Sequence, residues 1–135
     1  MTTLGVSASG PLPPDEAWER YARPGLWHTW APQIRSVEVG VERLSGGETG
    51  RVHGPLGVAV DFRVVAWSED TREWSWVVQP QPPLVRGLRV ARLRMTHGVA
   101  AQGSGSRTWL RVTGFAPLVA SYLPVARLAL HRLVR

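Results

Sequence analysis

The sequence has no cysteine and no lysine, and it has only two phenylalanines and two tyrosines. Without cysteine there is no disulfide framework, no thiolate-held zinc, no iron–sulfur cluster and no thiol nucleophile. A helix that spans a bilayer needs about 20 consecutive apolar residues, and no run approaches that length, so stable membrane insertion is not expected. Residues 1–10 carry no basic segment followed by an apolar one, so no secretory signal is expected and the cytoplasm is the expected location. The four histidines, His28, His53, His97 and His131, are far apart and never fall at metal-ligand spacing, so neither a metal site nor a cofactor is expected. There is no G-x-S-x-G elbow, and 102–105 has no helix after it to make a phosphate loop.

What is present fits one domain, 1–135. The chain has 135 residues, 44% of them hydrophobic and 19% charged, within the globular range. Sixteen basic residues against ten acidic ones give a net charge of +6, carried entirely by arginine. Acids are interspersed with the arginines up to Glu73, which argues against a nucleic-acid partner. Beyond Glu73 there are nine arginines and no acid.

The periodicities change along the chain. Residues 3–9 alternate with Leu4, Val6 and Ala8 on one side, a short first strand. Pro13-Pro14-Asp15-Glu16 starts a helix over 14–22, with Ala17, Trp18 and Tyr21 on one face. Pro24-Gly25 breaks it, and a second short helix over 26–30 ends before Pro32. Strands follow at 36–42, 48–54, 58–64 and 73–79, where Trp74, Trp76 and Val78 share a face. A proline-marked loop through Pro80, Pro82 and Pro83 leads to a long strand over 88–101, a hairpin tip at 103–106 and a last strand over 107–113. On this alternation Trp67 and Trp109 fall on the polar face, an exposed apolar patch that would suit a homodimer. Residues 117–135 hold Val119, Leu123, Ala126, Leu130 and Leu133 in one stripe and Arg127, His131 and Arg135 in another, a terminal helix that Pro124 should kink or start. The expected fold is α+β: a curved antiparallel sheet of about seven strands gripping a long C-terminal helix, with two short helices between strands 1 and 2.

Two segments carry a family likeness. Pro13-Pro14-Asp15-Glu16-Ala17-Trp18, followed by Trp27-His28-Thr29-Trp30-Ala31-Pro32, resembles the opening of the START-like, or SRPBCC, superfamily. That group includes polyketide cyclase/dehydrase-like proteins and lipid-transfer START domains. The run Gly105-Ser106-Arg107-Thr108-Trp109-Leu110 resembles the start of a late strand in the same group. The resemblance implies a helix-grip fold, with an apolar cavity between sheet and helix for a small hydrophobic or aromatic molecule.

Alternation then nominates the wall. Trp27 and Trp30 come from the second short helix, Val60 and Phe62 from a middle strand, and Trp76 from the next. Leu93, Met95 and His97 share one strand face, and Leu110 and Val112 another. Tyr122 and Ala126 come from the terminal helix, and Tyr122 and His97 are the expected polar anchors. The related cyclases place a tyrosine after the second short helix, where this chain has Pro32-Gln33-Ile34, and Arg63 alternates to the outer face. Both departures favour binding over catalysis, with a polyketide cyclase/dehydrase-type enzyme as the alternative. A third reading is an interaction module with a filled core.

Overall fold

In the computed structural model, which describes residues 1–80 and 92–135, the first strand lies beside the last. Strand β1 (Thr2–Gly10) pairs antiparallel with β7 (Gly105–Gly114) from Thr2↔Gly114 to Gly10↔Ser106. Between them run β2 (Ser36–Val39), β3 (Thr49–His53), β4 (Ala59–Ser68), β5 (Glu73–Pro80) and β6 (Leu93–Gln102). Each pairs antiparallel with its sequence neighbour, giving a seven-stranded sheet in the order β1-β7-β6-β5-β4-β3-β2. The expected long strand is β6 over its described part; residues 88–91, like Pro82 and Pro83, lie outside the described residues.

Helix α1 (Pro14–Ala22) and the single turn α2 (Trp27–Trp30) follow β1, joined by a 3₁₀ turn over Pro24–Leu26. The last carbonyls of a helix have no partner within it. In α1 all four find one. Arg23 N–H donates to Glu19 and Leu44 N–H to Ala22, while the indoles of Trp27 and Trp30 donate to the Tyr21 and Arg20 carbonyls at 2.9 and 3.1 Å. The tryptophan pair of α2 therefore fixes the angle between the short helices. A carboxylate ties α1 to the sheet: Glu69 accepts from the indoles of Trp18 and Trp67 and from Arg43.

Helix α3 (Ala116–Leu133) runs through the exposed Pro124 as one element, so Pro124 does not start its regular part. It buries Val119, Ala126, Ala129, Leu130 and Leu133, close to the predicted stripe, with Leu123 only partly covered. Inward on the sheet lie Phe62 and Val64 of β4, Trp74, Trp76 and Val78 of β5, Leu93, Met95, His97 and Val99 of β6, and Leu110 and Val112 of β7.

Two expectations are corrected by one irregularity. Between Val64 and Ala66 the β4–β5 register shifts, a bulge that adds a residue and reverses the alternation after it. Trp67 consequently returns to the inner side, with its ring 4.6 Å from Trp18 and 5.6 Å from Trp74. Trp109 stays outside, half-buried over Gly98, with the Arg111 guanidinium 4.6 Å from its ring. The two indoles therefore share no exposed patch.

Candidate functional site

Sheet and α3 do not close on each other completely, and the space between them has two compartments. The outer one holds about 330 Å³ and is walled by Val52, Val58, Val60, Val78, Leu93, Met95 and Leu118. The inner one holds about 30 Å³ among Trp27, Trp30, Trp74, His97, Leu110, Ala126 and Leu130. Gln33, Ile34, Trp76 and Tyr122 line both and so form the boundary between them. No arginine, aspartate or glutamate lines either compartment among the described residues.

The inner wall is an aromatic cluster. The Trp74 and Trp76 rings lie 5.1 Å apart, Trp27 and Trp76 also 5.1 Å, and Trp74 stacks on the His97 imidazole at 4.9 Å. One chain of hydrogen bonds runs through it. The Trp76 indole donates to His97 Nε2 at 3.1 Å, which leaves the proton of the neutral ring on Nδ1. That nitrogen lies 3.3 Å from the Tyr21 hydroxyl. Tyr21 and Thr108 share a 2.6 Å bond, and Thr108 donates onward to the Gly98 carbonyl at 3.0 Å. Burial holds the His97 pKa down at about 3 and pushes the Tyr21 phenol above its ordinary value, so both stay neutral. His97 thus lines the wall with both nitrogens already engaged and does not offer the free polar anchor that the sequence suggested.

Three polar groups at the boundary and inner wall are less committed. The Gln33 amide N–H donates to the Tyr122 hydroxyl at 3.2 Å, and the Tyr122 pKa is raised by burial, with the Gln33 bond acting against it. The Gln33 Oε1 and the Trp74 indole N–H are buried without a partner among the described residues.

The sequence matches the family model described as polyketide cyclase/dehydrase and lipid transport over residues 1–135. The chain belongs to this family. No curated protein matches the sequence. Among solved structures, the crystal structure of Ara h 8.0201 superposes with a TM-score of 0.74 at 14% identity, covering 98% of this chain and 94% of that one. A protein from Nitrosospira multiformis gives 0.79 at 17% identity over 98% and 94%. XoxI from Bacillus cereus gives 0.73 at 13% identity over 99% and 94%. At these identities the likeness is one of fold: the helix grip of the START-like superfamily.

For this polyketide cyclase/dehydrase and lipid transport family member, most of the wall residues named from the sequence meet at the cavity. Val60, Leu93 and Met95 line the outer compartment, Trp27, Trp30, His97, Leu110 and Ala126 the inner one, and Trp76 and Tyr122 both. Phe62 and Val112 do not reach it. Phe62 is spent behind the wall, over Gly50 and against the Trp27 and Trp76 rings at 5.7 and 5.5 Å, and Val112 is fully buried opposite Met95 and Leu4. Arg63 is exposed on the outer face. The sequence reading missed Gln33 and Trp74. Trp74 carried a signal, since it shares Trp76's alternation; Gln33 follows Pro32 outside any regular element, and its one pointer was the resemblance, which puts a cyclase tyrosine in this stretch.

Proposed function

We propose that this protein holds a small hydrophobic or aromatic molecule in the cavity between sheet and α3, without transforming it. The observation that carries this reading is the wall itself. It is an apolar chamber of about 330 Å³, at the lower end of the size range of ligand sites, that leads to an indole cluster, with no charged side chain on the wall among the described residues. Proton shuttling needs a group with an accessible proton and a matched pKa. Here His97 is neutral, buried and bonded at both nitrogens. Of the two activities in the family's description, carriage fits this cavity better than cyclisation. The interaction-module reading required a filled core, and the open outer compartment speaks against it.

The test is titration of the purified protein with a neutral fluorescent probe, N-phenyl-1-naphthylamine, read by quenching of the tryptophan cluster. Saturable binding is expected, and Val60→Trp, which fills the outer compartment, should weaken it by about tenfold or more, a factor that corresponds to about 1.4 kcal/mol. Unchanged affinity in a folded Val60→Trp variant would place the probe elsewhere. Turnover of a linear poly-β-ketone by the wild-type protein would restore the enzymatic reading.

A further inference from the structure

The two compartments differ in size and in chemistry, and the difference specifies the ligand more closely than hydrophobicity does. The outer compartment has room for a body. The inner one, about 30 Å³, has room for a single water-sized group. Two of the residues that line that small space carry unmet hydrogen-bonding capacity of opposite kinds. Gln33 Oε1 is a buried acceptor without a donor, and Trp74 Nε1 is a buried donor without an acceptor. Trp74 is only 1% exposed. Tyr122 receives the Gln33 N–H and retains its own proton to give. A buried polar atom left unpaired is costly, so a group that pairs these atoms gains on entering.

We infer that the cavity selects a ligand that leads with one neutral hydroxyl, a phenol or an alcohol, on an apolar body, and rejects the same body carrying a carboxylate. The inference rests on the binding reading above. A hydroxyl both donates and accepts, so it can give its proton to Gln33 Oε1 while taking one from Tyr122 or Trp74. A carboxylate only accepts. It would set its charge against the Gln33 oxygen and surrender its hydration with no cation to receive it, because no arginine among the described residues lines the cavity and His97 is uncharged. The net charge of +6 would by itself favour anions; the cavity wall opposes that preference. A ketone or ether oxygen likewise leaves Gln33 Oε1 unpaired.

Three probes with one ring system decide it: naphthalene, 2-naphthol and 2-naphthoate, titrated near pH 8, where the naphthol is neutral and the naphthoate ionised. The naphthol should bind about tenfold tighter than naphthalene, and the naphthoate more weakly than either. Gln33→Leu should abolish the naphthol advantage over naphthalene measured in the same variant, and Tyr122→Phe should reduce that advantage in the same way. Equal affinity for naphthol and naphthalene, or an advantage that survives Gln33→Leu, overturns the hydroxyl subsite and leaves the apolar cavity standing. Tighter binding of naphthoate overturns it in favour of an anion site. If none of the three binds while the protein is folded, the cavity reading fails and takes this inference with it.

Discussion

His97 takes an indole N–H on one ring nitrogen and faces a phenol with the other, in a space lined by no arginine or carboxylate among the described residues. Its pKa lies at about 3 against an ordinary 6.5, because burial disfavours the imidazolium. The unfolded chain therefore takes up a proton between these values and the folded chain does not, so stability is complete above the upper value and declines as the pH falls toward the lower one. Glu69, held at about 2 against an ordinary 4.5 chiefly by its bond to Arg43, adds a loss of the same sign at lower pH. Tm should fall steadily from ~pH 6.5 to ~pH 4, and His97→Gln should flatten the upper part of that fall. A wild-type Tm constant across this range would show that water reaches the ring. At the next link, Tyr21→Phe removes the hydroxyl that faces His97 Nδ1. Thermal or denaturant unfolding should show a loss of about 1–3 kcal/mol, the cost of a buried donor left without an acceptor.

At the scale of elements, the end of β1, the start of β7 and the exit of α3 cross within backbone contact. A Cβ on Gly105 would strike the Gly10 carbonyl, and one on Gly10 would strike the Val134 carbonyl; neither obstacle is a side chain that can swing aside. The crossing is tied by Leu12 N–H to Val134 at 3.0 Å and by Ser106 Oγ to the Leu12 carbonyl at 2.7 Å. Gly105→Ala should cost about 1–3 kcal/mol or more, measured by urea unfolding, through forced backbone displacement. Gly40→Ala, with open space around its Cβ, should cost under about 0.5 kcal/mol. These elements were mostly legible in the sequence because a sheet with one buried face writes itself as alternation and a covered helix as a stripe. That rule found Leu93, Met95 and Leu110 on the wall, and it failed wherever the backbone broke period. At the bulge after Val64 one extra residue carried Trp67 inward, unseen in a pattern of residue types. The partition of the cavity was illegible for a related reason: Gln33 stands outside both periods, and only tertiary placement brings it to Tyr122.

Across the whole molecule, charge is segregated along the chain, while the described residues of the cavity wall carry none. Every carboxylate precedes β6, so β6, β7 and α3 carry arginine and no acid. Arg107, Arg111 and Arg127 border an open depression beside Trp109, whereas the ion pairs among the described residues, such as Arg43–Glu69 and Arg51–Asp61, lie in the other half. The sheet also closes over a long span of chain: the Thr3 and Thr113 hydroxyls bond at 2.7 Å across 110 positions. Such a distant pairing pays its loop-closure entropy before its contacts reward it, so refolding followed by tryptophan emission should take on the order of milliseconds to seconds. Submillisecond refolding would mean that the distant pairing does not limit the rate. α3 follows β7 almost at once in the chain and rests on both β1 and β7. The pairing that gives the first strand its neighbour thus completes the surface on which α3, with Tyr122 and Ala126, is laid. A cargo too bulky to pass the finished mouth could still be enclosed at that moment, so refolding in the presence of a ligand and soaking a ligand into the folded protein are different experiments and need not load the same molecules.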